Sequence, residues 1–267
     1  MDNSQMASFQ AALKSSSRIL ALGLSASSGL ATFRGTGGLW HEYDAMQLAT
    51  PEAFAQDPAL VWKFYSERRG AALRASPNKA HYALAQLALK SKNFLTLTQN
   101  VDGLSSRAGH PADQLLHLHG SLFALKCTSF YCDYKVDNDF THPLTSALGK
   151  PDLHISVSDL PHCPKCTSGL LRPNVVWFGE ALPYNTVQRA DDFISQGKVD
   201  LILVIGTSGT VYPAAAYTDR VRLQGGKVAV FNIDVEHDSD DDDRPDWVFQ
   251  GDAAELVPEA LYPVIHL

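Results

Sequence analysis

The chain has 267 residues, 45% of them hydrophobic and 19% charged, and its formal net charge at pH 7 is −7. This length and composition predict a globular protein with one large core, or one core with an inserted module. The negative net charge argues against nucleic-acid binding as the main function. The sequence contains no apolar run of about 18 residues, the length that a membrane-spanning helix requires. We therefore expect partners other than nucleic acid or membrane.

The N-terminal twenty residues lack the apolar core of a signal peptide, and an acidic residue, Asp2, stands near their start. Two basic residues, Lys14 and Arg18, together with several serines leave a mitochondrial address as the second choice. We expect a monomeric protein in the cytosol or nucleus.

Helices and strands alternate along most of the chain. Start signals predict three helices, the first beginning at Pro51, the second at Asp57-Pro58 and running to about Arg74, and the third at Asn78. Apolar runs predict strands over residues 18–24, 94–98, 175–178, 201–205 and 227–234. This alternation predicts an α/β fold with a doubly wound, Rossmann-like parallel sheet.

The four cysteines form two pairs, Cys127-x4-Cys132 and Cys163-x2-Cys166. Two such pairs about thirty residues apart can place four thiolates tetrahedrally around zinc. In a reducing compartment a metal explains these cysteines better than disulfides do. Because the protein supplies all four ligands, the predicted zinc is structural.

These patterns predict the organisation of the chain. We expect a zinc-binding module over residues 122–171, with an irregular stretch over about 133–161. The Rossmann-like domain would be formed by residues 1–121 and 172–267, with a helical insertion over about 41–90.

Functional side chains are concentrated in the stretch 94–120, FLTLTQNVDGLSSRAGHPADQLLHLHG. It opens as an apolar strand that ends directly in Gln99, Asn100 and Asp102, and ligands of open parallel sheets bind at such carboxyl ends. Downstream, a short apolar element leads to His119. The alternative is that the polar residues cap a helix and that the histidine is a hydrogen-bonded core residue.

The strings TQNVD (98–102) and LHG (118–120) resemble the paired signature of the sirtuin family, the NAD-dependent protein lysine deacylases. The resemblance extends from residue 21 to about 256. It implies that NAD is consumed as a co-substrate and that Gln99, Asn100 and Asp102 bind it. His119 would act as general base on a ribose hydroxyl, a role that suits an imidazole because its pKa lies near neutrality. The implied products are free lysine, nicotinamide and O-acyl-ADP-ribose.

A Gly- and Ser-rich segment over residues 21–40 follows the first predicted strand. Such a segment lets backbone N–H groups approach a pyrophosphate, although the spacing is not G-x-G-x-x-G and a flexible turn is the alternative. The segment resembles the sirtuin cofactor loop, GAG(I/V)S-x-x-SG-x-P-x-FR, with departures at Ala21, Leu22 and Ala31. The cofactor-binding residues that this resemblance implies are Ala21, Leu22, Gly23, Ser25, Phe33 and Arg34.

The strand end at 206–208 and the loop over 249–253 resemble further parts of the family's NAD site. A routine strand-to-helix turn is the alternative for the first of them. The resemblance assigns NAD contacts to Gly206, Thr207, Ser208 and Ala253. At the exit of the strand over 227–234, Asn232 and Asp234 are candidate partners of the adenosine ribose.

Tyr65 and Arg68 lie three residues apart on the second predicted helix and share one face of it. Taken alone, such a pair is usually at a surface or rim. Class III sirtuins, which remove succinyl, malonyl and glutaryl groups, carry a Tyr-x-x-Arg on the corresponding helix. A guanidinium beside a phenol hydroxyl suits the distal carboxylate of an acidic acyl chain. Ala45 stands where this class has a small residue that leaves room for the longer acyl group.

The segment LLRPNVVWFGE (170–180) resembles the sirtuin segment that pairs with the substrate peptide and lines the acyl-lysine tunnel. Pairing of this kind binds many sequences, because main-chain hydrogen bonds supply much of the affinity. The partners implied are acylated lysine side chains of proteins or peptides. The substrate contacts implied by the resemblance are Val175, Trp177, Phe178, Val211 and Tyr212.

Three alternative functions remain open at this point. The first is deacetylation or ADP-ribosyl transfer, with Tyr65 and Arg68 incidental. The second is a non-catalytic NAD or ADP-ribose sensor, favoured by the three departures in the cofactor loop and by Ser105, where the family usually has His. The third is a zinc ribbon that docks proteins, with catalysis secondary.

Overall fold

The structure, a computed structural model, describes residues 3–23, 45–151, 154–206, 214–234 and 244–266. The described helices are α1 (Asn3–Ser15), α2 (Ala45–Leu48), α3 (Pro51–Gln56), α4 (Pro58–Arg74), α5 (Lys79–Lys90), α6 (Leu104–Arg107), α7 (Tyr184–Ser195), α8 (Ala214–Leu223) and α9 (Ala253–Ile265). The described strands are β1 (Ile19–Gly23), β2 (Phe94–Thr98), β3 (Leu115–His117), β4 (Gly120–Cys127), β5 (Lys135–Val136), β6 (Leu171–Val175), β7 (Leu201–Ile205), β8 (Lys227–Asn232) and β9 (Trp247–Gln250).

Six strands form one parallel sheet in the order β3-β2-β1-β7-β8-β9. From β1 the chain first builds outward through β2 and β3, and later adds β7, β8 and β9 on the other side. The strand order therefore reverses between β1 and β7, which is the switch point where open α/β sheets bind ligands. This topology confirms the predicted doubly wound, Rossmann-like fold.

The strands β1, β2 and β7 are buried along their whole length, because helices cover both faces of the sheet. On one face, Phe9 of α1 packs edge-on against Phe231, Trp247 and Phe249, with ring centroids 5.4 to 5.7 Å apart. On the other face, α7 and α8 cover a second apolar cluster that includes Ile202. These two clusters form the core of the large sheet.

Side-chain caps begin the three predicted helices, as expected. The Thr50 hydroxyl accepts a hydrogen bond from the Ala53 N–H at 3.1 Å, so that Pro51 is the first residue of α3. Asp57 caps α4, and Asn78 caps α5 in the same way. The helix starts were predictable because Ser, Thr, Asp and Asn satisfy backbone donors that a helix leaves unpaired.

The second sheet is small and antiparallel, with strand order β5-β4-β6. A third apolar cluster joins it to α2, α3 and α4. We call this assembly of residues 45–74 and 120–180 the small unit. The predicted strand over 175–178 was wrong in its bounds, because β6 ends at Val175 and pairs with β4. The next buried backbone N–H, that of Trp177, donates to the Glu180 carboxylate and not to a neighbouring strand.

Buried polar side chains attach α4 to the rest of the small unit. Arg69 is completely buried and donates hydrogen bonds to the backbone oxygens of Asp139 at 2.7 Å, Thr141 at 2.9 Å and Leu122. The indole N–H of Trp62 donates to the Leu171 oxygen at 2.8 Å. These contacts hold one face of α4 against the small sheet.

Within the described residues, no helix combines the length and the apolarity needed to cross a membrane.

Candidate active site

A cavity of about 590 Å³ lies between the large sheet and the small unit. Its walls come from α4, from the residue run that follows β2, from the turn after β3, and from the segment that follows β6. It brings together nine residues predicted from sequence: Tyr65, Arg68, Gln99, Asn100, Asp102, His119, Val175, Trp177 and Phe178.

His119 is held by backbone contacts from two directions. Its Nδ1 lies 3.1 Å from the backbone oxygen of Gln99, and its own backbone oxygen accepts a hydrogen bond from the Val176 N–H at 2.9 Å. A carbonyl oxygen can only accept, so Nδ1 carries the hydrogen and Nε2 is the basic atom of the neutral ring. Burial lowers the pKa of this imidazole, and the contact with Gln99 partly opposes the shift. The ring is therefore neutral, and able to accept a proton, at neutral pH.

Gly120 makes the turn after His119 possible. Its φ is +75°, and a Cβ at this position would lie 2.0 Å from the backbone oxygen of Asn174. Any larger residue would push β4 away from β6. The glycine of the LHG string is therefore required by the close pairing of the small sheet.

Gln99 and Asp102 supply polar groups on the sheet side of the cavity. The side-chain nitrogen of Gln99 is buried, and among the described residues it has no hydrogen-bond partner. The Asp102 carboxylate accepts a hydrogen bond from the Leu104 N–H at 2.9 Å. Burial raises the pKa of Asp102, while that hydrogen bond and the charge of Arg68 lower it. A buried amide donor without a partner among the described residues, at the carboxyl end of β2, fits a polar ligand such as the nicotinamide riboside part of NAD.

Tyr65 and Arg68 supply polar groups on the opposite wall. Tyr65 is only 1% exposed, and its hydroxyl oxygen accepts a hydrogen bond from the indole N–H of Trp177 at 2.8 Å. Burial raises the pKa of Tyr65 to about 12, so the phenol is neutral at physiological pH. Burial also lowers the pKa of Arg68, an effect opposed by Tyr65 and Asp102, but a guanidinium remains charged in proteins. The wall thus presents a cation and a neutral hydroxyl.

Sequence reasoning missed an ion pair at this wall, one partner of which, Glu180, lines the cavity. Arg172 is 6% exposed and donates to the two carboxylate oxygens of Glu180 at 2.6 and 2.9 Å. Its guanidinium lies over the Trp177 ring, 3.2 Å from the centroid. The signal that would have found the pair is the opposite charges of Arg172 and Glu180 at the two ends of the string RPNVVWFGE, which contains no other charged residue.

Three predicted cofactor positions turn their side chains into the core instead. Ala21 and Leu22 are each 1% exposed and lie in the apolar clusters on opposite faces of the large sheet. The bulk of Leu22 therefore lies in the core, because strand side chains alternate between faces. Ala253, also 1% exposed, packs in the core at the start of α9.

Four other predicted cofactor residues lie where the sheet strands end. Gly23 ends β1, and Gly206 follows β7 with its N–H donating to the Phe231 oxygen at 2.8 Å. Asn232 ends β8 and Asp234 follows it. All four lie at the carboxyl edge of the parallel sheet. The remaining predicted residues Ser25, Phe33, Arg34, Thr207, Ser208, Val211 and Tyr212, and the side chain of Ala45, lie outside the described residues.

The four cysteine sulfurs lie within 4.8 Å of one another. The Sγ–Sγ distance is 3.6 Å for Cys127 and Cys166, and 3.6 Å for Cys132 and Cys163. Zinc–sulfur bonds of about 2.3 Å in a tetrahedron give sulfur–sulfur distances of about 3.8 Å, so the cluster fits one structural zinc ion. The residues inserted between the first two ligands include Phe130 and Tyr131, which are exposed.

Comparisons with known proteins agree with this geometry. A model of the Sir2 family matches residues 21–213. The chain is 52% identical to the NAD-dependent protein deacylase of Candida albicans, over 98% of this chain and 99% of the relative. It is 40% identical to the dog mitochondrial NAD-dependent protein deacylase sirtuin-5, over 98% of this chain and 86% of the relative.

A solved structure shares the fold as well. A crystal structure of a Sir2 homolog–NAD complex superposes with a TM-score of 0.80 at 37% identity, covering 99% of this chain and 94% of the other. Together with the family match over residues 21–213 and the relatives of 40–52% identity, this likeness means that the chain belongs to the Sir2 family.

Proposed function

We propose that this NAD-dependent protein deacylase removes acidic acyl groups, namely succinyl, malonyl and glutaryl, from lysine side chains. The observation that carries the proposal is that Tyr65 and Arg68 line the same cavity as His119. A guanidinium and a phenol hydroxyl can both bind the distal carboxylate of an acidic acyl group, whereas an acetyl group offers them no charge to bind. The relatives named NAD-dependent protein deacylase support the reaction class.

The NAD side of the reaction belongs to the large sheet. When bound, NAD supplies an electrophilic ribose carbon and nicotinamide as the leaving group. Gln99, Asn100 and Asp102 hold the nicotinamide ribose and carboxamide at the end of β2. Gly23, Gly206, Asn232 and Asp234 lie at neighbouring strand ends, where phosphate and ribose groups bind in such sheets.

His119 acts as the general base. Its Nε2 accepts the proton of a ribose hydroxyl, so that the acyl group leaves lysine for ADP-ribose. The low pKa of the buried ring supports this role, because the ring stays unprotonated at neutral pH. The overall reaction consumes NAD and water and releases free lysine, nicotinamide and O-acyl-ADP-ribose.

The substrate side belongs to the small unit. The last residue of β6, Val175, and the segment after it, with Trp177 and Phe178, contribute to the cavity wall, and Phe178 is 48% exposed. This arrangement supports a tunnel for an acylated lysine with an exposed rim for the peptide. We further propose that the chain divides into an NAD-binding domain (1–121 and 172–267) and a zinc-binding module (122–171). We propose that the protein is a monomer and that it is located in the cytosol or nucleus. Mitochondria are the alternative, which the name of the dog relative suggests.

The test is to incubate the protein with NAD and matched succinyl-, malonyl- and acetyl-lysine peptides and to weigh the products by mass spectrometry. We expect O-succinyl- and O-malonyl-ADP-ribose to form faster than O-acetyl-ADP-ribose. Faster deacetylation would contradict the acyl class and favour a plain deacetylase. NAD binding without turnover of any peptide would favour the sensor alternative.

A further inference from the structure

The hydrogen bond between Trp177 and Tyr65 has a defined direction. An indole nitrogen can only donate, so the Tyr65 oxygen is the acceptor of the 2.8 Å contact. The hydroxyl hydrogen of Tyr65 must then point away from Trp177. Among the described residues no acceptor for that hydrogen is found, and Tyr65 lines the cavity.

Trp177 itself is held by a charged clamp formed by Arg172 and Glu180. The backbone N–H of Trp177 donates to a Glu180 carboxylate oxygen at 2.8 Å, and the Arg172 guanidinium lies over the indole ring. Arg172 also donates to the Val175 oxygen at 2.8 Å, which attaches the clamp to the end of β6. The ion pair is bidentate, so the clamp sets both the position and the tilt of the ring.

We propose that the Arg172–Glu180 clamp is a specificity device: by fixing Trp177, it keeps the Tyr65 hydroxyl oriented as a hydrogen-bond donor to the distal carboxylate of the acyl group. Trp177, Arg172 and Glu180 are then positioning residues that act through Tyr65. The proposal rests on the proposed function, since it requires an acidic acyl group in the cavity. The neutral state of the phenol at physiological pH ensures that a hydrogen is present to donate.

In the alternative role, Trp177 only forms part of the apolar wall of the cavity. The two roles differ in what the removal of one N–H does. Trp177→Phe keeps an aromatic ring under the Arg172 guanidinium but removes the donor to Tyr65. If Trp177 acts through Tyr65, the loss of acyl selectivity in Trp177→Phe must depend on the presence of the Tyr65 hydroxyl.

The test is a double-mutant cycle of Trp177→Phe and Tyr65→Phe, read as the ratio of kcat/KM for succinyl- over acetyl-lysine peptide. We expect each single change to lower the ratio about five- to tenfold, mainly through KM of the succinyl peptide, as the loss of one hydrogen bond implies. The double variant should be no lower than Tyr65→Phe. Ratios that multiply in the double variant, or a Trp177→Phe loss equal for both peptides, would overturn the orientation role.

A matched control lies on the same helix as Tyr65. Trp62→Phe also removes a buried indole N–H, at 0% exposure, but its acceptor is the Leu171 backbone oxygen and it is outside the cavity lining. We expect Trp62→Phe to lower stability without changing the ratio. A fall in the ratio as large as that of Trp177→Phe would mean that the readout reports packing alone, and would overturn the proposal.

A second variant and a spectroscopic measurement keep the test independent of folding and of the acyl assignment. Glu180→Gln retains an oxygen that can accept from the backbone N–H of Trp177 but weakens the ion pair with Arg172. The ratio of kcat/KM for succinyl- over acetyl-lysine peptide should therefore fall about threefold. An unchanged ratio would contradict the clamp. In NMR spectra, the Trp177 indole N–H resonance should shift in Tyr65→Phe, and no shift would contradict the hydrogen bond. A parent protein that prefers acetyl peptide overturns the acyl class before any variant is made, whereas multiplicative losses in a succinyl-preferring parent overturn only the orientation role.

Discussion

The large sheet and the small unit are held together by different interactions. In the large sheet, the fully buried apolar strands β1, β2 and β7 pack between two helical layers, and buried charged groups are absent from their described residues. In the small unit, the described residues include three buried cations, Lys63, Arg69 and Arg172, each bonded to backbone oxygens. The small unit also holds the cysteine cluster.

The cavity lies where these two regions meet. The sheet supplies His119 and the polar residues that follow β2, while the small unit supplies Tyr65, Arg68 and the segment after β6. In our proposal, NAD chemistry thus depends on the rigid apolar region and acyl selectivity on the region that needs polar contacts and zinc. This separation predicts that the two properties can be disturbed independently.

Loss of zinc should have the largest effect on stability, and it should destabilise the small unit. Cys163 is 1% exposed and is one of four ligands, so Cys163→Ser should lower zinc content from one ion per chain and reduce Tm by about 10 °C or more. Elemental analysis and calorimetry measure both. An exposed serine in the same unit, Ser158, provides the control Ser158→Ala. Full zinc content with an unchanged Tm would refute the structural role of the metal.

Removal of the proposed base should abolish turnover without disturbing either region. We expect His119→Ala to reduce nicotinamide release about a thousandfold, with Tm and zinc content retained. The matched control is His162→Ala, because the Nδ1 of His162 also contacts a backbone oxygen, at 2.8 Å, but lies outside the cavity lining. Turnover of His119→Ala close to that of the parent would count against the base assignment.

Arg68 tests whether acyl selectivity belongs to the small unit. Arg68→Met should lower kcat/KM for succinyl peptide by about 30- to 100-fold, as expected for lost hydrogen bonds to a carboxylate, and for acetyl peptide much less. Arg74→Met is the control, since Arg74 is exposed at the end of the same helix. Equal losses for the two peptides would remove the acyl-pocket assignment.

A mildly acidic pH should lower the free energy of unfolding of the region around the large sheet, and this is the smallest of the expected effects. His81 of α5 is 2% exposed, and burial lowers its pKa from 6.5 to about 4. The unfolded chain therefore takes up a proton at higher pH than the folded one, so this stability is complete above about pH 6.5 and is lost as the pH falls toward 4. Near pH 5.5 the loss is about 1 kcal/mol.

The matching variant is His81→Gln, which keeps a side-chain acceptor for the helix cap but cannot titrate. Urea unfolding at pH 7.5 and 5.5 should show a smaller pH-dependent loss for the variant than for the parent, by about 1 kcal/mol. Identical losses would show that His81 does not contribute to acid sensitivity.

Much of the candidate site was predictable because its signals are local. The apolar run of β2 followed by Gln99, Asn100 and Asp102 predicted a strand and its ligand-binding end, and the cysteine spacing predicted a cluster that the structure confirms. The helix starts followed from Thr50, Asp57 and Asn78, whose side chains bond to N–H groups only three residues away. Local hydrogen bonds and periodic burial depend on near neighbours, and these are visible in one sequence.

Tertiary structure alone decided which distant side chains meet. The side chains of Ala21 and Leu22 belong to the core because the register of a central strand is set by its two neighbours, 70 or more residues away in sequence. Likewise, only the folded chain brings Trp177 to Tyr65, a contact across 112 residues. Such contacts are chosen by the packing of whole elements, so the sequence by itself determined the elements and the reactive groups, and packing determined the wall that orients them.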